Sequence, residues 1–165
     1  MLRGNQSPTG FTASTVSHSI LVPIENMSFP YKHVLLIGAT AGIGKAMAEG
    51  FLKSGIKVTV VGRRTERLEE FVRRYGPDKA KPISFDISNV DQIPKFAEKT
   101  MHDSPDIDCI FLNAGVQRPH DLAKSDGFDL DLFNLEIHVN LTSFVALSQA
   151  FLPYLMNKGS PSSIV

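Results

Sequence analysis

The sequence lacks an excess of either charge and any long apolar run, and each shortage excludes a class of protein. Lys and Arg together number 17, and so do Asp and Glu, so the formal charge is zero. Nucleic-acid binding relies on a basic surface, and we therefore predict no nucleic-acid partner. The longest apolar runs, such as residues 34–37, are strand-sized, whereas a membrane-spanning helix needs about 18 apolar residues. We therefore predict no membrane partner.

Cysteine and clustered histidine are also scarce. The one cysteine, Cys109, cannot form an intrachain disulfide, and it lies in an apolar run, which suits a reducing compartment. We therefore predict a cytoplasmic protein. No histidine stands at metal-ligand spacing from another histidine or a cysteine, so we predict no metal site. The five histidines are His18, His33, His102, His120 and His138.

Residues 1–26 differ in composition from the rest of the chain. They hold four Ser and three Thr but one acid, Glu25, and one basic residue, Arg3, and they show no amphipathic periodicity. We predict a disordered extension here and one domain over 27–165. A mitochondrial transit peptide is the minor alternative, because such peptides are Ser-rich but also Arg-rich. Met27 as the true start of translation is a further expectation.

From Lys32 onward, short apolar runs alternate with segments of helical periodicity. Near-continuous apolar runs are typical of strands covered on both faces, and they lie at 33–37, 57–61, 82–85 and 108–112. Apolar residues at helical spacing fill the segments between them: Ile43, Met47 and Phe51, then Leu68, Phe71, Val72 and Tyr75, then Ile93, Phe96, Ala97 and Met101. Strands that alternate with helices predict an α/β fold with a parallel sheet and right-handed crossovers.

Glycine and proline mark the predicted helix ends. Gly55 should end the first helix and Gly76 the second, while Pro94 should lie in the first turn of the third. A longer helix is predicted from about 129 towards 158, and its apolar face is read as Leu132, Leu135, Val139, Ser143, Ala146 and Ala150. Residues 162–165 begin a fifth strand. The predicted fold is a Rossmann-like, doubly wound parallel sheet, truncated at the start of strand five.

The first chemical signal is a glycine-rich loop between the first strand and the first helix, residues 38–44. Glycines allow a sharp turn and let backbone N–H groups approach a pyrophosphate, which the helix N-terminus stabilises. A tight structural turn is the plain alternative. The strand before the loop and the helix after it favour the phosphate cradle.

The glycine spacing is GxxxGxG, and three further motifs follow it in order: Asp86-Ile87, Asn113-Ala114-Gly115 and Asn140. Together the four motifs resemble the short-chain dehydrogenase/reductase family over residues 32–165. The resemblance assigns cofactor binding to Gly38, Thr40, Ala41, Gly42, Ile43, Gly44, Asp86, Ile87, Asn113, Ala114 and Gly115. Asn140 resembles the family's helix-four Asn, whose backbone supports a proton-relay water, and is our catalytic candidate. Two positions depart from the family pattern: Ile37 replaces a Thr and Leu112 replaces an Asn. Both changes remove side chains that would brace the loops.

The end of the second strand indicates which cofactor is preferred. An acid about 20 residues past the glycines would bind the ribose hydroxyl of NAD, but this chain has Arg63 and Arg64 there. Two guanidinium groups can hold a phosphate, so NADP(H) is favoured over NAD(H). The alternative is that Arg63, Arg64 and Arg67 are only the solvated start of a helix. Cations at a helix N-terminus oppose the helix dipole, so a bound anion would be stabilising at this position.

The resemblance implies hydride transfer between NADP(H) and a carbonyl or alcohol substrate. The family's catalytic Ser and its Tyr-x-x-x-Lys pair would follow strand five, so we expect a longer parent enzyme and an inactive 165-residue chain. A non-catalytic NADP(H)-binding module is the alternative. Two local Tyr-x-x-x-Lys matches, 75–79 and 154–158, are interpreted as coincidental. A homo-oligomer stays open, because helix four usually pairs subunits in this family.

Overall fold

The computed structural model describes residues 29–124 and 127–165. The predicted extension at 1–26 lies outside these residues. Five parallel strands form one sheet in the order β3-β2-β1-β4-β5. The strands are β1 His33–Ile37, β2 Lys57–Gly62, β3 Ala80–Ser84, β4 Cys109–Leu112 and β5 Ser163–Ile164. This order confirms the predicted doubly wound sheet.

The strand boundaries follow the apolar runs closely. β1 lies at the centre between β2 and β4, and all five of its residues are buried, as expected of a strand covered on both faces. The third strand is the least accurate prediction. It was expected at 82–85 but runs Ala80–Ser84. At this sheet edge, burial alternates along the strand and the apolar signal is correspondingly weak.

The first three helices occupy the predicted segments. They are α1 Gly42–Lys53, α2 Thr65–Tyr75 and α3 Ile93–Asp103. Gly55 and Gly76 follow the ends of α1 and α2 with φ values of 78° and 92°. Pro94 lies in the first turn of α3, where its missing N–H has no intrahelical partner to lose. The predicted punctuation is therefore confirmed.

Helices cover both faces of the sheet. Val34 and Leu36 of β1 point towards α1 and α2, whereas Leu35 and Ile37 point to the opposite core with α3 and the long helix. Side chains alternate along a strand, so one central strand contributes to two cores. This arrangement leaves the carboxyl ends of the strands as the open edge where loops meet.

The long helix is interrupted. It consists of α4 Leu130–Ile137, a π-helical turn at His138–Thr142 and α5 Ser143–Met156. Its buried face is Val139, Ser143, Leu147, Phe151 and Leu155. The prediction of this face is therefore wrong at Leu132 and Leu135, which are exposed, whereas Ala146 and Ala150 are half-buried and pack against the core. A π turn contains a surplus residue and shifts the helical phase, and regular periodicity does not reveal it.

One further apolar prediction is wrong. Ile43, expected on the buried face of α1, is 74% exposed. In the described part of the chain, one continuous helical stretch, Leu130–Met156, has the length and apolar composition to cross a membrane. The count of consecutive apolar residues did not reveal this stretch. It packs on the sheet through Leu147, Phe151 and Leu155, and core helices of folded domains pass the same test.

Candidate functional site

A cavity of about 450 Å³ opens at the carboxyl ends of the strands. Its volume falls within the ordinary range for small-molecule sites. In a doubly wound sheet, ligands bind at this edge, where the strand order reverses between β1 and β4. We call it the inner cavity. Its walls include Gly38, Thr40, Ala41, Gly42, Ile43, Arg63, Arg64, Asp86, Ile87, Asn113, Ala114 and Gly115.

Those wall residues are twelve of the thirteen cofactor-binding candidates, and Gly44 is the exception. Gly44 is buried behind the loop, and a Cβ there would lie 2.1 Å from the Gly38 oxygen and 2.6 Å from Asn113 Nδ2. Its place in the motif is thus explained by close packing of loop and helix. The exposed position of Ile43 is explained too, because this side chain lines the inner cavity.

The glycine loop is braced from a neighbouring strand end. Asn113 donates a hydrogen bond from its side-chain amide to the Gly38 oxygen at 3.1 Å, and the Asn113 backbone N–H donates to the Ile37 oxygen at 3.0 Å. The side chains of Ile37 and Leu112 depart from the family pattern and pack in the apolar core instead. Asn113 therefore supplies a brace between the two loops that those positions do not.

Two arginines follow β2 and have different surroundings. Arg63 Nη1 lies 3.7 Å from Asp86 Oδ2, while 63% of the Arg63 side chain is exposed. The other oxygen of Asp86 accepts hydrogen bonds from the Ser88 backbone N–H at 3.0 Å and from the Ser88 hydroxyl at 2.9 Å. Arg64 is the N-cap residue of α2. Among the described carboxylates, none lies within 4.0 Å of the Arg64 guanidinium.

Asn140 does not line the inner cavity, but its side chain binds a residue that does. The Asn140 Nδ2 group donates to the Val116 oxygen at 2.7 Å, and Asn140 Oδ1 accepts from the Val116 N–H at 2.9 Å. The side chain thus replaces a strand partner for the segment that follows β4. Val116 lines the cavity, so Asn140 helps to fix its shape.

His138, in the same π turn, holds a second loop. Its Nε2 atom lies 2.8 Å from the Ser88 backbone oxygen, and Ser88 itself caps the Asp86 carboxylate. The sequence patterns did not predict this role for His138, which was considered only as a possible metal ligand. A side chain that binds a distant backbone oxygen leaves no periodic pattern in the sequence. The π turn that positions His138 has no recognisable sequence pattern either.

The loop after β4 also packs on α4. The Arg118 backbone N–H donates to the Glu136 carboxylate, and His120 Nε2 lies 3.7 Å from the same carboxylate oxygen. Phe128 and Phe133 surround the His120 ring at centroid distances of 5.4 and 6.1 Å. This aromatic packing was not predicted.

Other sequence candidates lie away from the cavity. Lys158 Nζ donates to the Pro105 oxygen at 2.6 Å, which places the 154–158 pair near the amino ends of the strands. The 75–79 pair is divided by Gly76, where α2 ends. Cys109 is fully buried, and burial, with a smaller contribution from Asp108, raises the pKa of its thiol to about 12. Within 29–124 and 127–165, no three His, Cys, Asp or Glu residues cluster as metal ligands would.

Comparisons with known proteins show which proteins share this sequence and fold. A family model described as short chain dehydrogenase matches residues 32–165. The chain is 31% identical over 137 residues to the dehydrogenase/reductase SDR family protein 7-like of Drosophila melanogaster, covering 79% of this chain and 41% of that protein.

Solved structures agree with this match. A short-chain dehydrogenase from Streptomyces avermitilis superposes with a TM-score of 0.72 at 28% identity, covering 84% of this chain and 49% of that one. A gluconate 5-dehydrogenase from Burkholderia cenocepacia, in complex with NADP and tartrate, gives a TM-score of 0.70 at 25% identity, covering 79% and 51%. The chain spans about half the length of the relatives it matches. Its sheet order, its glycine loop and the matched family model together show that it belongs to the short-chain dehydrogenase family.

Proposed function

We propose that this chain is the cofactor-binding part of an NADP(H)-dependent oxidoreductase that interconverts a carbonyl and an alcohol. The observation that carries the proposal is the inner cavity, which gathers twelve of the cofactor-binding candidates from the ends of four strands. When bound, the nicotinamide cofactor would supply or accept the hydride. The residues of this chain bind and orient it.

The glycine loop fits a dinucleotide. Gly42 begins α1 with a φ of +55°, and nothing lies within 4 Å of the place where its Cβ would stand. This open space at a helix N-terminus is where backbone N–H groups and the helix dipole would meet a pyrophosphate. The Asn113 brace holds the loop in position before any ligand arrives.

The preference for NADP(H) rests on the end of β2. Gly62, Arg63 and Arg64 line the cavity, and β2 ends without an acid that would repel a phosphate. Asp86, the nearest acid to Arg63, follows β3 and is bound by Ser88. The related gluconate 5-dehydrogenase was solved with NADP, which supports the same choice here.

Proton transfer to substrate is assigned to residues outside this chain. The two local Tyr-x-x-x-Lys matches lie away from the inner cavity, and Asn140 binds the lining residue Val116 but does not itself line the cavity. We therefore propose that the 165 residues bind cofactor without turnover and that the parent enzyme is a cytoplasmic oxidoreductase acting on small molecules. A non-catalytic NADP(H)-binding module is the second candidate, favoured by the same placement of tyrosine and lysine.

Replacement of both arginines tests cofactor choice. We expect R63A/R64A to weaken NADPH binding at least tenfold, because charge-assisted bonds to phosphate contribute about 1.5–3 kcal/mol each. NADH affinity should change little. The measurement is a titration of purified protein by nicotinamide fluorescence. An equal loss for both cofactors would overturn the phosphate assignment, and the absence of saturable binding of either cofactor by the wild type would overturn the function itself.

Substitution at Gly42 tests the cradle. Gly42→Val should abolish binding of both NADPH and NADH, because a branched side chain would fill the open space and would be strained at positive φ. A thermal melt of the variant separates loss of binding from loss of folding. Gly50→Val on the exposed side of α1 is the control that should retain binding, since its Cβ also meets nothing within 4 Å.

A further inference from the structure

The hydrogen bond between His138 and Ser88 has no role in the proposed function. The His138 Nε2 atom lies 2.8 Å from the Ser88 backbone oxygen, 50 residues away in the chain. A carbonyl oxygen can only accept a hydrogen bond, so Nε2 carries a proton and donates it. His138 is half-buried and belongs to the π-helical turn at 138–142. Turns of this kind occur frequently at functional sites.

Ser88 connects His138 to Asp86, which lines the inner cavity. Ser88 donates two hydrogen bonds to Asp86 Oδ1, one from its backbone N–H at 3.0 Å and one from its hydroxyl at 2.9 Å. The other carboxylate oxygen, Asp86 Oδ2, lies 3.7 Å from Arg63 Nη1. The orientation of the Asp86 carboxylate therefore depends on a residue whose own position His138 holds.

His138 anchors the far side of the loop after β3. On the near side, the Phe85 N–H donates to the Gly62 oxygen of β2 at 3.0 Å. Within the described part of the chain, the His138 bond is the one hydrogen bond that joins residues 86–89 to another element of the fold. The other hydrogen bonds of this segment are local. The loop is therefore held between β2 on one side and the π turn on the other.

Apolar packing supports the same junction. Ile87 and Val139 belong to one core cluster, and both line the inner cavity. Ile87 lies between Asp86 and Ser88 in the chain, and Val139 follows His138 directly. The loop after β3 and the π turn thus contribute to the same core and to the same cavity wall.

This wall lies on the side of the cavity that fits the adenosine half of a dinucleotide. The glycine loop follows β1 and would hold the pyrophosphate, while the adenosine ribose binds at the end of the second strand in sheets of this kind. β3 lies beyond β2 in the order β3-β2-β1-β4-β5. Asp86 and Ile87 follow β3 and line the cavity there. The nicotinamide half would lie on the opposite side, towards β4.

We propose that His138 is a positioning residue for the adenosine half of the dinucleotide, acting through Ser88 on Asp86 and the loop after β3. This inference rests on the proposed function and deepens it. The bond orders the loop before the cofactor arrives, so binding does not bear the entropic cost of ordering it. Because the bond does not involve the 2′-phosphate, NADPH, NADH and ADP-ribose should depend on His138 to the same extent.

Substitution of His138 by Leu and by Gln tests the donor. Leu fills a similar space without a donor, whereas Gln places an amide N–H near the position of Nε2. We expect H138L to weaken binding of ADP-ribose, NADPH and NADH by one common factor of about threefold to tenfold, the value of a single hydrogen bond. H138Q should stay within about twofold of the wild type, because the bond is kept. Nicotinamide fluorescence measures NADPH and NADH, and competition against NADPH measures ADP-ribose.

His102→Leu is the matched control. His102 is exposed on α3 and does not line the inner cavity, so H102L should leave all three affinities unchanged. The emission spectrum of NADPH at saturation gives a second readout, because it reports the surroundings of the nicotinamide ring alone. We expect the same spectrum for H138L and the wild type. A changed spectrum with an unchanged ADP-ribose affinity would place the effect of His138 on the β4 side and contradict the assignment.

Ser88→Ala tests the second link and requires no substitution in the long helix. It removes the hydroxyl bond to Asp86 and should weaken ADP-ribose binding by about twofold to threefold. In the double variant H138L/S88A the two losses should not multiply, because both residues belong to one hydrogen-bonded chain. Losses that multiply fully would show that the two residues act separately. If H138L does not fold, as urea unfolding would show, an unchanged ADP-ribose affinity in S88A refutes the proposal by itself.

The outcomes separate this inference from the proposed function. If the wild type binds neither NADPH nor ADP-ribose, the proposed function fails and the inference fails with it. If the wild type binds both and H138L behaves like H102L, only the inference is overturned. If H138L and H138Q are equally weak, the hydrogen bond is not what His138 supplies, and the inference is wrong while the proposed function stands.

Discussion

The two ends of the sheet differ in how their polar groups are satisfied. At the amino ends, polar groups pair with one another: His33 Nε2 lies 2.8 Å from the Thr59 hydroxyl, and His33 Nδ1 lies 3.0 Å from Asp106 Oδ2, which also contacts Lys57. Asp108 accepts hydrogen bonds from the backbone N–H groups of Lys32 and His33. At the carboxyl ends, Arg64 and the glycine loop face an open cavity.

This difference separates stability from binding within the same strands. A buried polar group without a partner costs about 1–3 kcal/mol, and most polar groups at the amino ends have partners there, while the contact of His33 Nδ1 with Asp106 lacks hydrogen-bond geometry. Groups at the carboxyl ends keep capacity for a ligand, because the loop backbone and the arginines are partly solvated. One set of strands therefore anchors the domain at one edge and presents a site at the other.

The largest expected effect on stability comes from a substitution in the glycine loop, at the carboxyl ends of the strands. Gly44→Ala should lower the free energy of unfolding by about 2–4 kcal/mol, because the added Cβ would lie 2.1 Å from the Gly38 oxygen and the loop would have to shift. Chemical denaturation with urea measures the change.

Gly50→Ala is the matched control on the same helix. A Cβ at Gly50 meets nothing within 4 Å, so the substitution should stabilise the protein by about 0.5–1 kcal/mol through helix propensity. Equal effects of the two substitutions would show that loop packing at Gly44 does not limit stability.

The second largest effect on stability is expected at the carboxyl ends too, in the loop after β4. Asn140→Ala removes both hydrogen bonds to Val116 and should lower the free energy of unfolding by about 1–2 kcal/mol. Asn134→Ala, exposed on α4, should stay within about 0.5 kcal/mol of the wild type. Urea unfolding of the two variants side by side makes the comparison. If they prove equally stable, the Asn140 amide does not brace the loop.

The smallest expected effect concerns pH and the amino edge. Burial lowers the pKa of His33 below its ordinary 6.5, although Asp106 raises it, with Lys57 and Lys81 lowering it further. The unfolded chain therefore binds this proton more readily than the folded one. Stability is present above pH 6.5 and is lost as the pH falls through 6.5 towards the folded-state pKa. One proton gives a slope of at most about 1.4 kcal/mol per pH unit.

Unfolding free energies measured between pH 8 and pH 5 should show this slope in the wild type, and His33→Gln should flatten it. Asp106→Asn should extend the slope to lower pH, because it removes the carboxylate that raises the His33 pKa. A wild-type slope that His33→Gln leaves intact would assign the proton to another group.

The sequence predicted the sheet and most of the inner cavity because those features are local. β1 is one uninterrupted apolar run, and the glycine loop joins it directly to α1, so spacing alone indicates both. The residues at 86, 87 and 113–115 were placed by resemblance to a family, and the structure brings them to the same wall. Each lies just after a strand, at the edge where parallel strands end together.

What the sequence did not reveal depends on contacts between distant segments. His138 binds the Ser88 oxygen 50 residues away, and His120 packs between Phe128 and Phe133. Neither contact follows from residue type or period. The buried face of the long helix was misread at Leu132 and Leu135 for a different reason: a π turn changes the helical phase without changing the composition.

The π turn at His138–Thr142 has one more consequence. It behaves as an α-helix that has accepted an extra residue, and its side chains hold two separate loops, one through His138 and one through Asn140. Deletion of a residue here would restore a regular helix but rotate everything before it by about 100°. One of the two loops would then lose its anchor. The surplus residue thus makes this segment intolerant of length changes.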